Sequence, residues 1–454
     1  MKIALINPPA RKILEFYDAP PWPHIGLGYL AAYLRRKGFG CEAIDAKLEK
    51  LSLNSTISRL NEMKPDFVGI TAFTHEVSQA VRIASAVKEN SKECFVVLGG
   101  VHTTFLPVET LEKFSVFDAV VFGEGEKTLY QIVNALSLNY SFEGVDGVAY
   151  RGNDGIRVNK QRSFIDNLDD LPFPTYDLFP KASAYIVQTG RGCPYQCNFC
   201  SNPWTRKTRF RSPQNVIQEL IEITQRYGRV IISFADETFG VNRERTEEIL
   251  DLIITEGLNK TIRWWASTRV DAVDHELLVK MKQSGSEYLG YGVESGNEKI
   301  LKATGKGIDL KRAGEAIKLT RDVGIRTGSY FILGHPFESP KTALDTINFA
   351  AKLNTDSFSL GIMVPYPGSR IFEMAKKGEG GYKIISDNWD DFNKQYGNAL
   401  ELEHFSRKKL ELFQLIGYLY FYLYNLRIKD LIKIVKSYSP LLVKVFKKIF
   451  ILKN

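Results

Sequence analysis

The strongest constraint on this chain is an alternation of short apolar runs with helix-period stretches, and it occurs twice. The first series reads KIALIN (2–7), a helical pattern from Leu27 to Lys37, DFVGITAF (66–73), a helical pattern from Val77 to Glu89, CFVVLGG (94–100) and DAVVFGEGE (118–126). Near-continuous apolar runs mark strands covered on both faces, and helices between them imply parallel neighbours. The series therefore predicts a doubly wound, flavodoxin-like parallel α/β sheet, with ligands beyond the carboxyl ends of its strands.

From Arg151 to Pro180 the pattern dissolves into Gly, Asn, Asp and Pro and ends in LDDLPFPTYDLFP, which reads as a linker. The second series follows: AYIVQTG (184–190), a helix over 213–227, RVIISFADE (229–237), a helix over 244–256, IRWWAS (262–267) and a helix over 274–283. It continues with YLGYGVES (288–295), a helix over 310–323, TGSYFILG (327–334), a helix over 341–352 and SFSLGIMVPYP (357–367). Six strand and helix units are too few for the closed eight-unit barrel of ~250 residues, so an open, partial (β/α)6 TIM-like barrel is expected. The boundaries drawn from the sequence are 1–150 for the first domain, 151–180 for the linker, 181–385 for the barrel and 386–454 for a helical basic C-terminal region.

Charge excludes one class of partner. The net charge of +8 invites a nucleic-acid reading, yet eleven Lys and Arg face two acids between Arg407 and Asn454, which leaves the body close to neutral. A basic tail on a neutral body speaks for an anionic surface, such as peripheral contact with a membrane, rather than a nucleic-acid groove. The uncharged stretch Leu412 to Leu426 is 15 residues, short of the ~20 that span a bilayer. Beyond it, LIKIVKSYSPLLVKVFKKIFILK alternates apolar residues with lysines, as an interfacial helix or a helix packed on the barrel would. The opening MKIALINPP holds too short an apolar run for a signal peptide, so a cytoplasmic protein is expected.

Of five cysteines, three fall within RGCPYQCNFC: Cys193, Cys197 and Cys200. Zinc prefers four ligands in paired Cys-x-x-Cys knuckles, and nothing nearby completes that set. Three thiolates suit a cubane iron-sulfur cluster with one iron left open to an exogenous ligand. Cys41 and Cys94 sit in apolar contexts and read as core residues.

At these residues the chain resembles the radical S-adenosylmethionine superfamily, whose signature is CxxxCxxC with an aromatic, here Phe199, before the last cysteine. The resemblance implies a [4Fe-4S] cluster on Cys193, Cys197 and Cys200, with S-adenosylmethionine on the open iron and a 5′-deoxyadenosyl radical as the product of its cleavage. Further stretches match the family: ADE with Asp236 and Glu237, Arg269 in STRVD, GVESG with Glu294, and YFILGHPFE with Ile332 and Gly334; with Phe199 these are the S-adenosylmethionine contacts that the resemblance implies. Physically, a Glu294 carboxylate closing an apolar strand needs donors, which ribose hydroxyls or a helix lysine such as Lys299 can supply. Arg269 suits a carboxylate clamp or an ion pair, and Ile332 with Gly334 suits close packing on a flat base.

INPP, the PxxGLGYLAAYLRRKG stretch (23–38), GGVHTTFLP (99–107), GEGE (123–126) and LPFP resemble the subfamily of radical enzymes that carries a cobalamin-binding domain. The cobalamin contacts this implies are Asn7, Thr71, Phe73, Thr74, Gly99, Gly100, His102, Thr103, Gly123, Glu124 and Glu126. No Asp-x-His-x-x-Gly string supplies a lower axial histidine. The function implied is methylation of an unactivated carbon. Radical cyclisation or skeleton rearrangement of a tetrapyrrole or lipid-like substrate is the alternative, and a cobalamin or iron-sulfur sensor module is the reading from another class. The partners implied are a small-molecule or lipid-like substrate and a reductant such as flavodoxin or ferredoxin.

Overall fold

The computed structural model describes residues 1–10, 20–204, 206–395 and 397–432, so most of the lysine-rich tail lies outside the described residues. The chain divides into two compact units. One comprises Met1–Lys12, Phe16–Ile186 and Asn202–Arg211; the other includes Val187–Ser201 and Ser212–Asn454.

In the first unit β1 (Ile3–Asn7), β2 (Glu42–Asp45), β3 (Phe67–Thr71), β4 (Phe95–Gly99) and β5 (Ala119–Val121) pair in parallel in the order β2-β1-β3-β4-β5. That order places the topological switch point between β1 and β3, where such sheets receive ligands. Helices α1 (Ile25–Arg36), α2 (Leu53–Met63), α3 (Val77–Asn90), α4 (Val101–Phe105), α5 (Pro107–Lys113) and α6 (Gly125–Ser137) connect the strands. His24 starts α1 by accepting a hydrogen bond from the Leu27 amide, and Leu27, Ala31 and Leu34 turn into the core. The sequence missed β2 and α2: one is four residues long, and the other buries only Thr56 and Leu60.

A further difference lies at the edge of this sheet. β6 (Val148–Gly152) and β7 (Gly155–Val158) form an antiparallel hairpin on β5, so the sheet is not parallel throughout. The Asn153-Asp154-Gly155 turn, with Gly155 at φ 118°, makes the hairpin possible and carries the first unit past residue 150.

The second series folds as read. β8 (Ala184–Val187) runs across the division between the units, and the two-residue strands β9 (Gly190–Arg191) and β10 (Arg209–Phe210) follow in the chain. β11 (Val230–Phe234), β12 (Ile262–Thr268), β13 (Ser286–Glu294), β14 (Arg326–Leu333) and β15 (Ser357–Ile362) pair in parallel. The six-stranded sheet has the sequential order β15-β14-β13-β12-β11-β8 of a partial barrel. The intervening helices are α7 (Pro213–Tyr227), α8 (Arg243–Thr255), α9 (His275–Gln283), α10 (Glu298–Thr304), α11 (Leu310–Asp322) and α12 (Pro340–Leu353). Each starts on a side-chain cap, namely Ser212, Asn242, Asp274, Asn297, Asp309 and Ser339, which accepts from a backbone amide of the first turn.

After α13 (Arg370–Lys377) and the antiparallel pair β16 (Tyr382–Ile384) and β17 (Leu400–Leu402), α14 (Arg407–Tyr424) carries the uncharged stretch. It packs on the outer face of β15: Gln414 Nε2 donates to the Leu360 carbonyl at 2.7 Å, and Phe421 stacks on Phe358 at 4.4 Å. Among the described residues no helix is long and apolar enough to cross a membrane. The amphipathic pattern expected beyond residue 432 lies outside the described residues.

Candidate active site

The cysteine loop leaves the carboxyl end of β8 through a turn held by two acids, the half-buried Asp236 and the exposed Glu237. Asp236 Oδ1 accepts from the amides of Thr189 (2.7 Å) and Gly190 (3.3 Å), and Oδ2 accepts from Thr189 Oγ1 at 2.5 Å. Burial raises the Asp236 pKa while these bonds oppose the rise. Arg245 grips the same turn, donating to the Thr189 carbonyl at 2.8 Å. Glu237 Oε2 accepts from the Gly192 amide at 3.2 Å, where Gly192 adopts φ 102°. Asp236 and Glu237 thus hold the entrance to Cys193, a task the sequence did not suggest for them.

Cys193, Cys197 and Cys200 are all half-buried and none is in a disulfide. Cys193 Sγ lies 3.8 Å from Thr238 Oγ1. Burial pushes the Cys197 thiol up, and the positive charges of Lys306 and Arg269 pull it back. Asn198 pins the loop, its amide donating to the Thr304 carbonyl (2.9 Å), its Nδ2 to Ala303 (2.8 Å), and its carbonyl accepting from Ile371 (3.0 Å). Among the described residues no three His, Cys, Asp or Glu side chains converge on a single-ion site. A cubane takes each thiolate on a different iron, so its ligands need not meet at one point.

Arg269 is buried beneath this loop. Its guanidinium centre sits 3.6 Å from the Tyr195 ring centroid, and Asp271 holds it bidentately at 2.8 and 2.7 Å. Its Nη1 makes no hydrogen bond. Glu294 stands at φ 72° and pairs with Lys306 at 2.5 Å, both side chains about nine-tenths buried. The lysine is therefore not Lys299, the helix lysine named from the sequence. Gly292 leaves room for the pair, since a Cβ there would meet Glu294 Oε1 and Lys306 Nζ.

Ile332 is half-buried on β14, while Gly334, at φ 91°, packs against Met363 and gives its carbonyl to the Tyr382 hydroxyl at 3.0 Å. Phe199 meets the buried His335 ring edge-on at 5.7 Å, and burial lowers that histidine to about 4. Glu338 Oε2 accepts from the amides of Gly334 and His335, and burial pushes this carboxyl up to about 8. Sequence reasoning missed Tyr195, Asp271, Lys306 and Glu338. Of these, Lys306 had a signal, a lysine between Gly305 and Gly307 at φ 68° and 69°.

In the first unit the residues at the strand ends fall into two groups. Thr71 and Gly99 are half-buried, Phe73 is 48% exposed, and the α-carbon of Gly123 (φ 77°) faces open space. Gly100 (φ 102°) cannot carry a Cβ, which would lie 2.8 Å from the Ala72 carbonyl. The second group is closed off from solvent. Asn7 donates to Asp45 at 2.7 Å, His102 Nδ1 lies 3.2 Å from Thr74 Oγ1, and Thr103 Oγ1 donates to Val121 at 2.7 Å. Glu124 is bound by Arg209 at 3.0 Å and by the Ile165 amide at 2.6 Å, and Glu126 is buried beside it in the chain. Burial lowers the His102 pKa to about 3, so its ring is neutral.

Comparisons with known proteins bear on both units. The Radical SAM superfamily model matches residues 187–350, and the B12 binding domain model matches residues 18–133. An uncharacterized methyltransferase of Pyrococcus horikoshii is 34% identical over 453 residues, covering 98% of this chain and 96% of that protein. The anaerobic magnesium-protoporphyrin IX monomethyl ester cyclase of Rubrivivax gelatinosus is 29% identical, covering 82% of this chain and 69% of its own length. Among solved structures, the radical S-adenosylmethionine methyltransferase TsrM from Kitasatospora setae, with cobalamin and a [4Fe-4S] cluster bound, superposes with a TM-score of 0.71. That match has 17% identity over 89% of this chain and 84% of the other, a likeness of fold.

Proposed function

Because this chain belongs to the radical S-adenosylmethionine enzymes that carry a cobalamin-binding domain, we propose that it methylates an unactivated carbon of a small-molecule substrate. The observation that carries the reading is the loop of three half-buried cysteines at the carboxyl end of an open barrel, braced by the Tyr195–Arg269 stack. When bound, the cluster supplies the electron that cleaves S-adenosylmethionine, and cobalamin supplies the methyl group.

The residues fit these groups. We assign Cys193, Cys197 and Cys200 to the cluster and keep Phe199 as its apolar neighbour. Arg269 Nη1, an uncommitted donor on a guanidinium fixed by Asp271, suits the carboxylate of S-adenosylmethionine. Glu294 suits the ribose, with Lys306 holding its charge in place, and Ile332 and Gly334 suit the adenine. Asp236, Glu237 and Phe199 we also assign to S-adenosylmethionine, and the two acids position the cysteine loop as well. In the first unit, Thr71, Phe73, Gly99, Gly100 and Gly123 leave room for a bulky flat cofactor such as cobalamin. Asn7, Thr74, His102, Thr103, Glu124 and Glu126 shape that edge from within.

The division of labour we assign gives residues 1–150 to cobalamin, 151–180 to a linker, 181–385 to radical chemistry and 386–454 to a helical basic region. The place of action we assign is the cytoplasm, with flavodoxin or ferredoxin as reductant and an anionic membrane surface as a peripheral contact of the basic tail. The similarity to the cyclase keeps ring closure as a second reading. The test is anaerobic reconstitution with iron, sulfide and hydroxocobalamin, then reduction with S-adenosylmethionine. Methyl transfer yields both 5′-deoxyadenosine and S-adenosylhomocysteine with cobalamin retained. Deoxyadenosine alone moves the reading to cyclisation, and neither product overturns both.

A further inference from the structure

Asn198, which stands between two of the cysteines, ties the cysteine loop to two helices. Its amide and its Nδ2 donate to the Thr304 and Ala303 carbonyls at the end of α10, and its carbonyl accepts from the Ile371 amide at the start of α13. One peptide link and one hydrogen bond therefore join Cys197 to the backbone of α10.

The chain that leaves α10 is a thin wall. Gly305 and Gly307 are exposed at φ 68° and 69°, while Lys306 between them turns its side chain inward to Glu294. A Cβ on Gly305 would lie 3.3 Å from the Gln196 carbonyl oxygen and 3.5 Å from Asn198 Oδ1, so the residues on either side of Cys197 lie directly beneath this glycine. At Gly305 a single layer of backbone, without a side chain, separates solvent from the loop that carries Cys197.

An open groove of about 580 Å³ runs over this wall, with Lys299, Lys302, Gly305, Gly307 and Ile308 among its lining. Lys299 and Lys302 are exposed, and so is Arg370, next in the chain to the Ile371 that holds Asn198. Among the described residues none of these three side chains makes a hydrogen bond or an ion pair. The one acid in the lining, Glu298, accepts from the Leu310 amide at 3.2 Å. A shallow surface of one sign is poor at enclosing a small ligand but suits a brief encounter with an acidic protein, and electron-transfer encounters need only a small interface.

We propose that the α10 groove, with Arg370 beside it, is the docking surface for the protein that reduces the cluster, an acidic electron carrier with a flavin or iron-sulfur centre. The inference rests on the reading of the three cysteines as cluster ligands. The docked carrier gives up one electron through the Gly305 wall and the Asn198 hydrogen bonds, and the cluster takes it up; no bond forms or breaks and no proton moves. Complementary charge speeds the encounter, and the small interface lets the spent carrier leave.

The probes are oxidised flavodoxin and an oxidised [2Fe-2S] ferredoxin, titrated calorimetrically into the reconstituted enzyme at low salt. At least one binds, and it binds about tenfold more weakly once salt screens the charges. The double variant Lys299→Glu, Lys302→Glu weakens that binding by about tenfold, Arg370→Glu by about threefold, and the control Lys408→Glu, Lys409→Glu on α14 by less than about twofold. Deoxyadenosine formation is followed in parallel, driven either by the reduced carrier or by dithionite. The groove variant slows the carrier-driven reaction about tenfold and leaves the dithionite-driven one within about twofold. The proposal is overturned if neither carrier binds, if the groove variant binds as the wild type does, if the α14 control weakens binding as much, or if the dithionite-driven reaction falls equally. Absence of deoxyadenosine from the wild type with dithionite overturns the proposed function, whereas its presence with carrier binding indifferent to the groove overturns the docking surface alone.

Discussion

The two sheets grow from the same alternation but are finished differently. In the first unit both faces are filled: Ile3 to Ile6 on β1, Phe67, Val68 and Ile70 on β3, and Val96 to Leu98 on β4 are all at 3% exposure or less. In the second unit the burial alternates, and one face of β11 to β15 stays accessible. A sheet filled on both faces can meet a ligand only at its strand ends, which suits a large cofactor lying across an edge. A sheet with one accessible face can hold a reacting molecule along the barrel interior, and the molecule displaces water from that face as it binds.

The largest expected effect separates the two regions outright. Cys197→Ala removes one of three cluster ligands, so 5′-deoxyadenosine formation falls to background, while hydroxocobalamin binding, read from its visible spectrum, is unchanged. Next is the buried pair within the first unit. Glu124→Ala leaves the Arg209 guanidinium buried without its counter-charge, and urea unfolding of that unit loses about 3–5 kcal/mol. Deoxyadenosine formation that survives the loss would sharpen the comparison.

The third effect depends on pH. Glu338 carries a folded-state pKa of about 8 against an ordinary 4.5. Below pH 4.5 both states hold the proton; between 4.5 and 8 the unfolded chain releases it while the folded chain keeps it, so stability falls as pH rises and then levels off. Glu338→Gln retains the acceptor for Gly334 and His335, removes this slope, and gains roughly 2–4 kcal/mol at pH 8 relative to pH 5. Parallel stability curves for wild type and variant across that range would count against a buried, protonated Glu338. The smallest effect is that of Gly100→Ala, which costs about 1–3 kcal/mol through strain at positive φ and reduces cobalamin retention.

The parts legible in the sequence were those written in local signals. Pro213–Tyr227 was bounded correctly because Ser212 and Pro213 start it and Gly228, at φ 76°, stops it. The three cysteines stand out by spacing alone, and the structure carries them half-buried on one loop. What escaped was whatever depended on segments brought together by folding. Asp236 and Glu237 were read as contacts of S-adenosylmethionine, and the hydrogen bonds that their carboxylates accept from a turn more than forty residues earlier carried no local signal. The Arg209–Glu124 pair joins residues 85 apart in the chain. The contact between the Tyr288 and Tyr330 hydroxyls is visible only once β13 and β14 are set in register, because nothing in YLGYG or TGSYF says which tyrosine meets which.

The account's central claim is that one unit holds cobalamin and the other holds the cluster. The measurement that tests it most directly is iron and cobalamin content, determined side by side after anaerobic reconstitution of Cys197→Ala and Gly100→Ala. The account predicts reciprocal losses: iron gone with cobalamin kept in the first variant, and cobalamin reduced with iron kept in the second. Loss of both groups in either variant would contradict it.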